Sequence, residues 1–210
     1  MVDFTAEDEA AYQEDEAAYQ ADHRVRRAHI DDAAPIADVH IAAWRSAYRG
    51  IMAAEVLDSL DLDRQTAGWT RNLGDEESPM TTFVVVDGPD AVKLPDAGKP
   101  RIVGFGGVCP PRDSTEVLGR LPDTSGLGQL AFINLHPDAF GTGAAVVLIR
   151  ALADHLRTAG FTRAYLMVAE GNDRAIRFYE KNGWQRTDIT HVYEGVSPAI
   201  PERMFTIELS

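Results

Sequence analysis

Apolar positions along the chain change between a period of two or short continuous runs and a period of 3.6, and each change marks an element. Val25 to Ala28 reads as a first short strand. Asp31 and Asp32 are N-cap candidates for a helix through Tyr48, with Pro35 in its first turns, where a missing amide costs least. Ile36, Val39, His40, Ala43, Trp44 and Ala47 share one face of it, which makes His40 a packed core histidine. Arg49-Gly50 ends that helix, and two shorter ones follow over Ala53 to Leu60 and Asp63 to Asn72. Thr82 to Asp87 and Ile102 to Val108 are β-branched runs, predicted as a hairpin with a long Gly/Pro/Asp-rich connection from Gly88 to Pro100. Cys109 to Gly126 is irregular, a length that marks a functional cover or a disordered segment.

The stretch from Gly128 to Trp184 organises the rest. Leu130 to Leu135 is a short apolar run between Gly128 and the His136-Pro137 break, which predicts a buried strand. A helix starts near Gly143, with Val146, Val147, Ile149, Leu152, Ala153 and Leu156 at helical spacing, Arg157 in its last turn and Gly160 as its stop. A strand from Thr162 to Val168 and a helix from Asn172 to Asn182, closed by Gly183, follow. Trp184 to Tyr193 and Arg203 to Leu209 form a last strand pair joined by the loop GVSPAIPE. Strand, glycine turn, helix, strand, helix is the order of an α/β domain.

Length and charge narrow the classes. The 210 residues suffice for one such domain with a decorated end: an acidic N-terminal extension over 1–23 and a domain over 24–210. In the extension EDEAAYQ occurs twice, at 7–13 and 14–20, too few copies for a repeat fold; a short acidic helix and a solvated tail both fit. The net charge of −13 argues against non-specific binding to nucleic acid or anionic membrane and favours encounter with a cationic small molecule or basic peptide; it is equally a solubility trait. Cys109 is the only cysteine, so no internal disulfide forms and a cytoplasmic location is expected. No signal peptide or membrane span is expected either.

The turn Phe140-Gly141-Thr142-Gly143-Ala144-Ala145 leads into a helix N-terminus, where unpaired amides and the helix dipole favour an anion. A P-loop would need Gly-Lys-Ser/Thr at the end of the turn, which is missing. A dinucleotide fingerprint would need a third glycine where Val146 stands. A pyrophosphate held by the turn needs neither.

Asn172-Asp173-Arg174-Ala175-Ile176-Arg177-Phe178-Tyr179-Glu180-Lys181-Asn182-Gly183-Trp184 then resembles the Asn-x-x-Ala-x-x-Phe-Tyr-x-x-x-Gly-Phe motif of the GCN5-related N-acetyltransferase (GNAT) superfamily, with Trp for Phe at the end. The glycine turn is similar to that family's Gln/Arg-x-x-Gly-x-Gly/Ala at Gly143 and Ala145, with Phe140 replacing Gln/Arg. The resemblance covers residues 25–209 more loosely. It implies a single domain with a mixed, mostly antiparallel sheet of about seven strands flanked by helices. The implied activity is direct transfer of an acetyl group from acetyl-CoA, without a metal, to a primary amine of a small molecule or peptide. A homodimer is common in the family.

The resemblance also assigns roles. Ile133, Asn134 and Leu135 would pair with the pantetheine arm; Phe140, Gly141, Thr142, Gly143, Ala144 and Ala145 would cradle the pyrophosphate; Asn172, Ala175 and Phe178 complete the cofactor side. Tyr179 would face the leaving sulfur as the catalytic residue. Trp44, Tyr48 and Gln129 would wall the acceptor pocket, with the loops at 110–126 and 194–202. Relatives often carry a glutamate where Gln129 stands, so the base is left to a water chain, to Glu55 or Asp58, or to His136, which reads as structural. A non-catalytic acyl-CoA sensor is the alternative, motivated by Gln129, Phe140 and the acidic extension.

Overall fold

The computed structural model describes residues 23–88, 101–196 and 198–209. The duplicated acidic heptad and nearly all of the 88–100 connection lie outside the described residues. The elements run β1 His23–Arg27, α1 Ala33–Ala47, α2 Ala54–Asp58, α3 Leu62–Gly74, β2 Thr81–Asp87, β3 Ile102–Cys109, α4 Thr115–Leu118, β4 Leu127–Leu135, α5 Ala144–Thr158, β5 Arg163–Ala169, α6 Asp173–Lys181, β6 Gln185–Tyr193 and β7 Ile200–Glu208. The seven strands form one sheet in the order β1-β2-β3-β4-β5-β7-β6. Every neighbouring pair is antiparallel except β4 with β5.

Helices cover both faces, which is why the central strands read as continuous apolar runs. On one face Ile36 and Val39 of α1 and Trp69 of α3 pack on Val84, Val86 and Phe105. On the other, Leu148, Leu152 and Leu156 of α5 pack on Val85, Val103 and Leu130. Full burial of one such side chain contributes about 1.5–3 kcal/mol, so these contacts are what seat α5. Gly106 makes room for it: a Cβ there would stand 2.6 Å from the Cδ1 of Leu152.

Some element limits differ from the sequence reading. β4 starts at Leu127, so Gly128 lies inside a strand. It is a packing glycine, since a Cβ would come within 2.8 Å of Leu156 Cδ2. The stretch after Cys109 contains the one-turn helix α4, with the Ser114 hydroxyl accepting from the Val117 amide at 3.3 Å. β7 begins at Ile200, because Pro201 still pairs with Val192. No helix among the described residues is long and apolar enough to cross a membrane.

Candidate active site

The site starts from a fault in the sheet. β4 and β5 pair only from Leu127↔Arg163 to Gln129↔Tyr165, although β4 continues to Leu135 and β5 to Ala169. On its other side β4 stays paired with β3, with one extra residue: Phe132 faces Gly107 and Leu130 faces Val108, leaving Ala131 as a bulge. A bulge bends its strand, and this one stands where the parallel pairing stops. Beyond it β4 presents backbone donors and acceptors toward a cavity of about 480 Å³.

The β4 end contributes Ile133, Asn134 and Leu135; the turn and α5 contribute Phe140, Gly141, Gly143, Ala145, Val146 and Arg150; α6 contributes Asn172, Arg174, Ala175, Phe178, Tyr179 and Lys181. Ala43 and Ala47 of α1 close the far wall. Gly141 and Gly143 have φ of 79° and 87°, values that L side chains rarely adopt, and they turn the chain into α5. The amides of Gly141, Gly143 and Ala145 donate to no group among the described residues. They form an anion-binding rim at the positive end of a helix of 15 residues.

Across the cavity, Asn172 caps α6, its Oδ1 accepting from the Ala175 amide at 3.2 Å. The cap leaves its Nδ2 available to a ligand. Tyr179 is 7% exposed, packed between Phe178, Trp184 and Phe205. Burial, together with the nearby Tyr48, pushes its phenol well above the ordinary range, so it stays neutral and keeps its proton to donate. Its hydroxyl bonds to no described residue. The Arg174 guanidinium lies 3.7 Å from the centre of the Phe140 ring, a cation–π contact that aims a positive charge along the glycine turn.

A second region surrounds Tyr48. The rings of Trp44 and Tyr48 meet at a tilt of 56° with centroids 5.2 Å apart and pack against Met52, Leu57, Ala169 and Ile200. Ile200, Glu202 and Met204 alternate onto this face of β7, where Glu202 pairs in register with Ala169 of β5 and His191 of β6. Burial raises the Glu202 carboxyl above its ordinary value; His191 opposes the shift and Asp113 adds to it. Burial likewise pushes the Tyr48 phenol up to about 12, with further contributions from Glu202 and Tyr193. Tyr48 is thus near enough to both Tyr179 and Glu202 to interact with each electrostatically. Gln129 is buried beside this region, with both ends of its amide used: Oε1 accepts from the Arg112 amide at 3.0 Å, and Nε2 donates to Asp113 Oδ2 at 3.1 Å. The Tyr165 hydroxyl donates to the same carboxylate oxygen at 2.7 Å.

Most of the residues expected on the cofactor side meet in one cavity, but Thr142 and Ala144 lie behind its surface. Trp44, Tyr48 and Gln129 do not line it either; on α1 that role falls to the small residues Ala43 and Ala47. Gln129 is a brace for the 109–114 loop. Glu55 and Asp58 are exposed on α2. His136 caps the turn after β4, its Nδ1 accepting from the Asp138 amide at 3.2 Å. His40 accepts from Trp69 Nε1 at 3.2 Å, and burial lowers its pKa to about 4, as suits a packed neutral histidine. Sequence reasoning missed Arg150, Arg174 and Lys181. Arg174 and Lys181 stand at unassigned positions of the α6 motif, and only the approach of α6 to the turn shows their use. It also missed Glu202, for which the chain carries no local signal.

The chain was compared with known proteins. The model of the "Acetyltransferase (GNAT) family" matches residues 41–184. An uncharacterized N-acetyltransferase, YuaI of Bacillus subtilis, is 28% identical over 156 residues, 74% of this chain and 76% of that protein. The mycothiol acetyltransferase of Streptosporangium roseum is 36% identical over 67 residues, 32% of this chain, and the chain spans only 20% of that protein's length. Among solved structures, the PaiA N-acetyltransferase of Thermoplasma acidophilum in complex with coenzyme A superposes with a TM-score of 0.62 at 15% identity, over 89% of this chain and 98% of that one, a likeness of fold.

Proposed function

Since this chain belongs to the acetyltransferase (GNAT) family, we propose that it moves an acetyl group from acetyl-CoA to a primary amine of a small molecule or peptide, by direct attack of the amine on the thioester. The observation that carries the reading is the charge of the cavity. On a chain of net charge −13, its charged lining among the described residues is Arg150, Arg174 and Lys181, with no carboxylate. Those cations, the unused amides of the turn and the open edge of β4 fit a long ligand with phosphates at one end and amide groups along its arm.

Bound acetyl-CoA supplies the activated carbonyl and a thiolate leaving group. The chain does the rest. Backbone groups of Ile133, Asn134 and Leu135 hold the arm as an added strand would, and a β4 amide polarises the carbonyl. The amides at 141, 143 and 145 and the Arg174 guanidinium hold the pyrophosphate. Asn172 Nδ2 donates to the arm. Tyr179 donates to the departing sulfur; a phenol held above its ordinary pKa of about 10 cannot fully protonate a thiolate of about 8.5, so its part is a hydrogen bond. On the acceptor side Glu202 orients the incoming ammonium. Once that ammonium has given one proton to water, the neutral amine attacks and the C–S bond breaks as the C–N bond forms. Glu202 takes the second proton from the nitrogen, by then far more acidic than in the free ammonium.

Incubation with acetyl-CoA and a panel of amines, followed by release of free coenzyme A, tests the activity; binding without release from any amine would leave an acyl-CoA-binding module. Tyr179→Phe should lower kcat by about ten- to a hundredfold, the lower range for loss of one acid group, with KM for acetyl-CoA nearly unchanged. Unchanged turnover would remove Tyr179 from the mechanism. Arg174→Ala should raise the acetyl-CoA Kd by about five- to tenfold, as loss of one charged phosphate contact does, and flatten its salt dependence. Titration calorimetry at two ionic strengths checks both.

A further inference from the structure

One buried polar side chain is explained neither by the core nor by the groups assigned above. His23, at the start of β1, is 5% exposed. Its Nε2 lies 3.0 Å from both the carbonyl oxygen and the hydroxyl oxygen of Thr142, 119 residues away in the chain. A carbonyl only accepts, so Nε2 carries the proton. The Thr142 hydroxyl in turn donates to the Ala139 carbonyl at 2.9 Å, which leaves its oxygen to accept from the same imidazole. On the far side Nδ1 is buried without a hydrogen-bond partner, and the Asp87 carboxylate is 3.6 Å away.

Thr142 sits between two glycines with positive φ, the least constrained part of the turn. In a trans peptide the carbonyl of one residue and the N–H of the next point in opposite directions. A donor that draws the Thr142 carbonyl toward β1 therefore turns the Gly143 N–H the other way, toward the cavity. Without it the Thr142–Gly143 peptide is free to flip, and the flip would present a carbonyl to the ligand in place of a donor.

We infer that His23 is a positioning residue that clamps the Thr142–Gly143 peptide so that the glycine turn meets the cofactor's phosphates with its amides. The clamp rests on the acetyl-CoA reading above. It acts through backbone only, so its effect belongs to the phosphate end of the ligand.

The test is calorimetric binding of two ligands, coenzyme A and S-acetyl-pantetheine, which lacks phosphate, to wild type, His23→Leu and His23→Gln. His23→Leu should raise the coenzyme A Kd by about tenfold, the scale of one hydrogen bond that fixes a phosphate contact, and leave the S-acetyl-pantetheine Kd unchanged. His23→Gln, whose amide Nε2 can donate to the same carbonyl, should restore coenzyme A binding to within about threefold of wild type. In turnover, His23→Leu should raise KM for acetyl-CoA with kcat at saturation preserved. Equal coenzyme A affinity in His23→Leu and wild type overturns the clamp, and so does a parallel loss for both ligands, which would mark a general disturbance of the fold. A wild-type protein that binds neither ligand overturns the acetyl-CoA reading itself.

Discussion

Gly143→Val is expected to abolish measurable acetyl-CoA binding while the protein still folds. Gly143 has φ of 87° and is the N-cap of α5. A left-handed conformation costs an L residue about 1–2 kcal/mol, and a β-branched side chain pays more. The turn would relieve that strain by rotating the 142–143 and 143–144 peptides, taking the rim amides out of line. The valine side chain would also enter the space that the cavity leaves at this position. Both effects act on the same ligand group, so a loss of at least about a hundredfold is expected, against the few-fold loss of a single phosphate contact. Titration calorimetry decides the matter, with thermal unfolding as the control for fold. A normal Kd in Gly143→Val would refute the cradle.

Glu202→Gln should lower kcat/KM for the amine by about a hundredfold near neutral pH, the low end for loss of a general base, with acetyl-CoA affinity unchanged. The loss should be similar for different acceptors. At pH 7 a lysine-like amine of pKa about 10.4 must give up a proton at a cost of about 4.6 kcal/mol before it attacks, whereas an α-amine near 8 costs about 1.4 kcal/mol. That cost is the same with and without Glu202, which acts on the later proton, so it sets the ranking of amines in wild type and variant alike. The pH profile supplies the sign. The carboxylate is the working form, and burial holds the Glu202 pKa above its ordinary value. Wild-type kcat/KM should rise with pH through a point above the usual carboxylate range, and that rise should be missing from the variant. If the limb persists in Glu202→Gln, another group is the base.

The sequence exposed this site unevenly, for physical reasons. Asn172, Ala175, Phe178 and Tyr179 share one helix, so their spacing puts them on one face and the family resemblance turned that face to the cofactor; the helix stop at Gly183 with φ of 84° was equally local. Strands β2 and β3 were readable from their β-branched runs, which fill a sheet covered on both faces. What depended on distant pairing was not readable. Phe140 looked like a lost polar contact until α6 brought Arg174 over its ring. Glu202 becomes a candidate base only where β5 and β6 pair on either side of it and Tyr48 comes near. Gln129 was placed in the acceptor pocket by analogy of position, but its amide braces a loop that no periodicity reveals. Gly128 read as a boundary because glycine breaks a strand pattern, and the structure uses it to admit Leu156 and Phe161.

The short seam between β4 and β5 has a thermodynamic consequence. Three residue pairs join the four-stranded side β1-β2-β3-β4 with its helices to the β5-β7-β6 side, so this sheet is left incomplete at its centre.

 

The four strands before the seam and the three after it meet like two leaves of a book bound by a short spine. A ligand that lies along the open edge of β4 lengthens that spine, so part of its binding free energy is spent holding the leaves together. At a hundred times its dissociation constant, such a ligand adds about 2.7 kcal/mol to the stability of the folded state. The concentration of the acyl donor would then govern how long the folded protein survives as well as how fast it turns over.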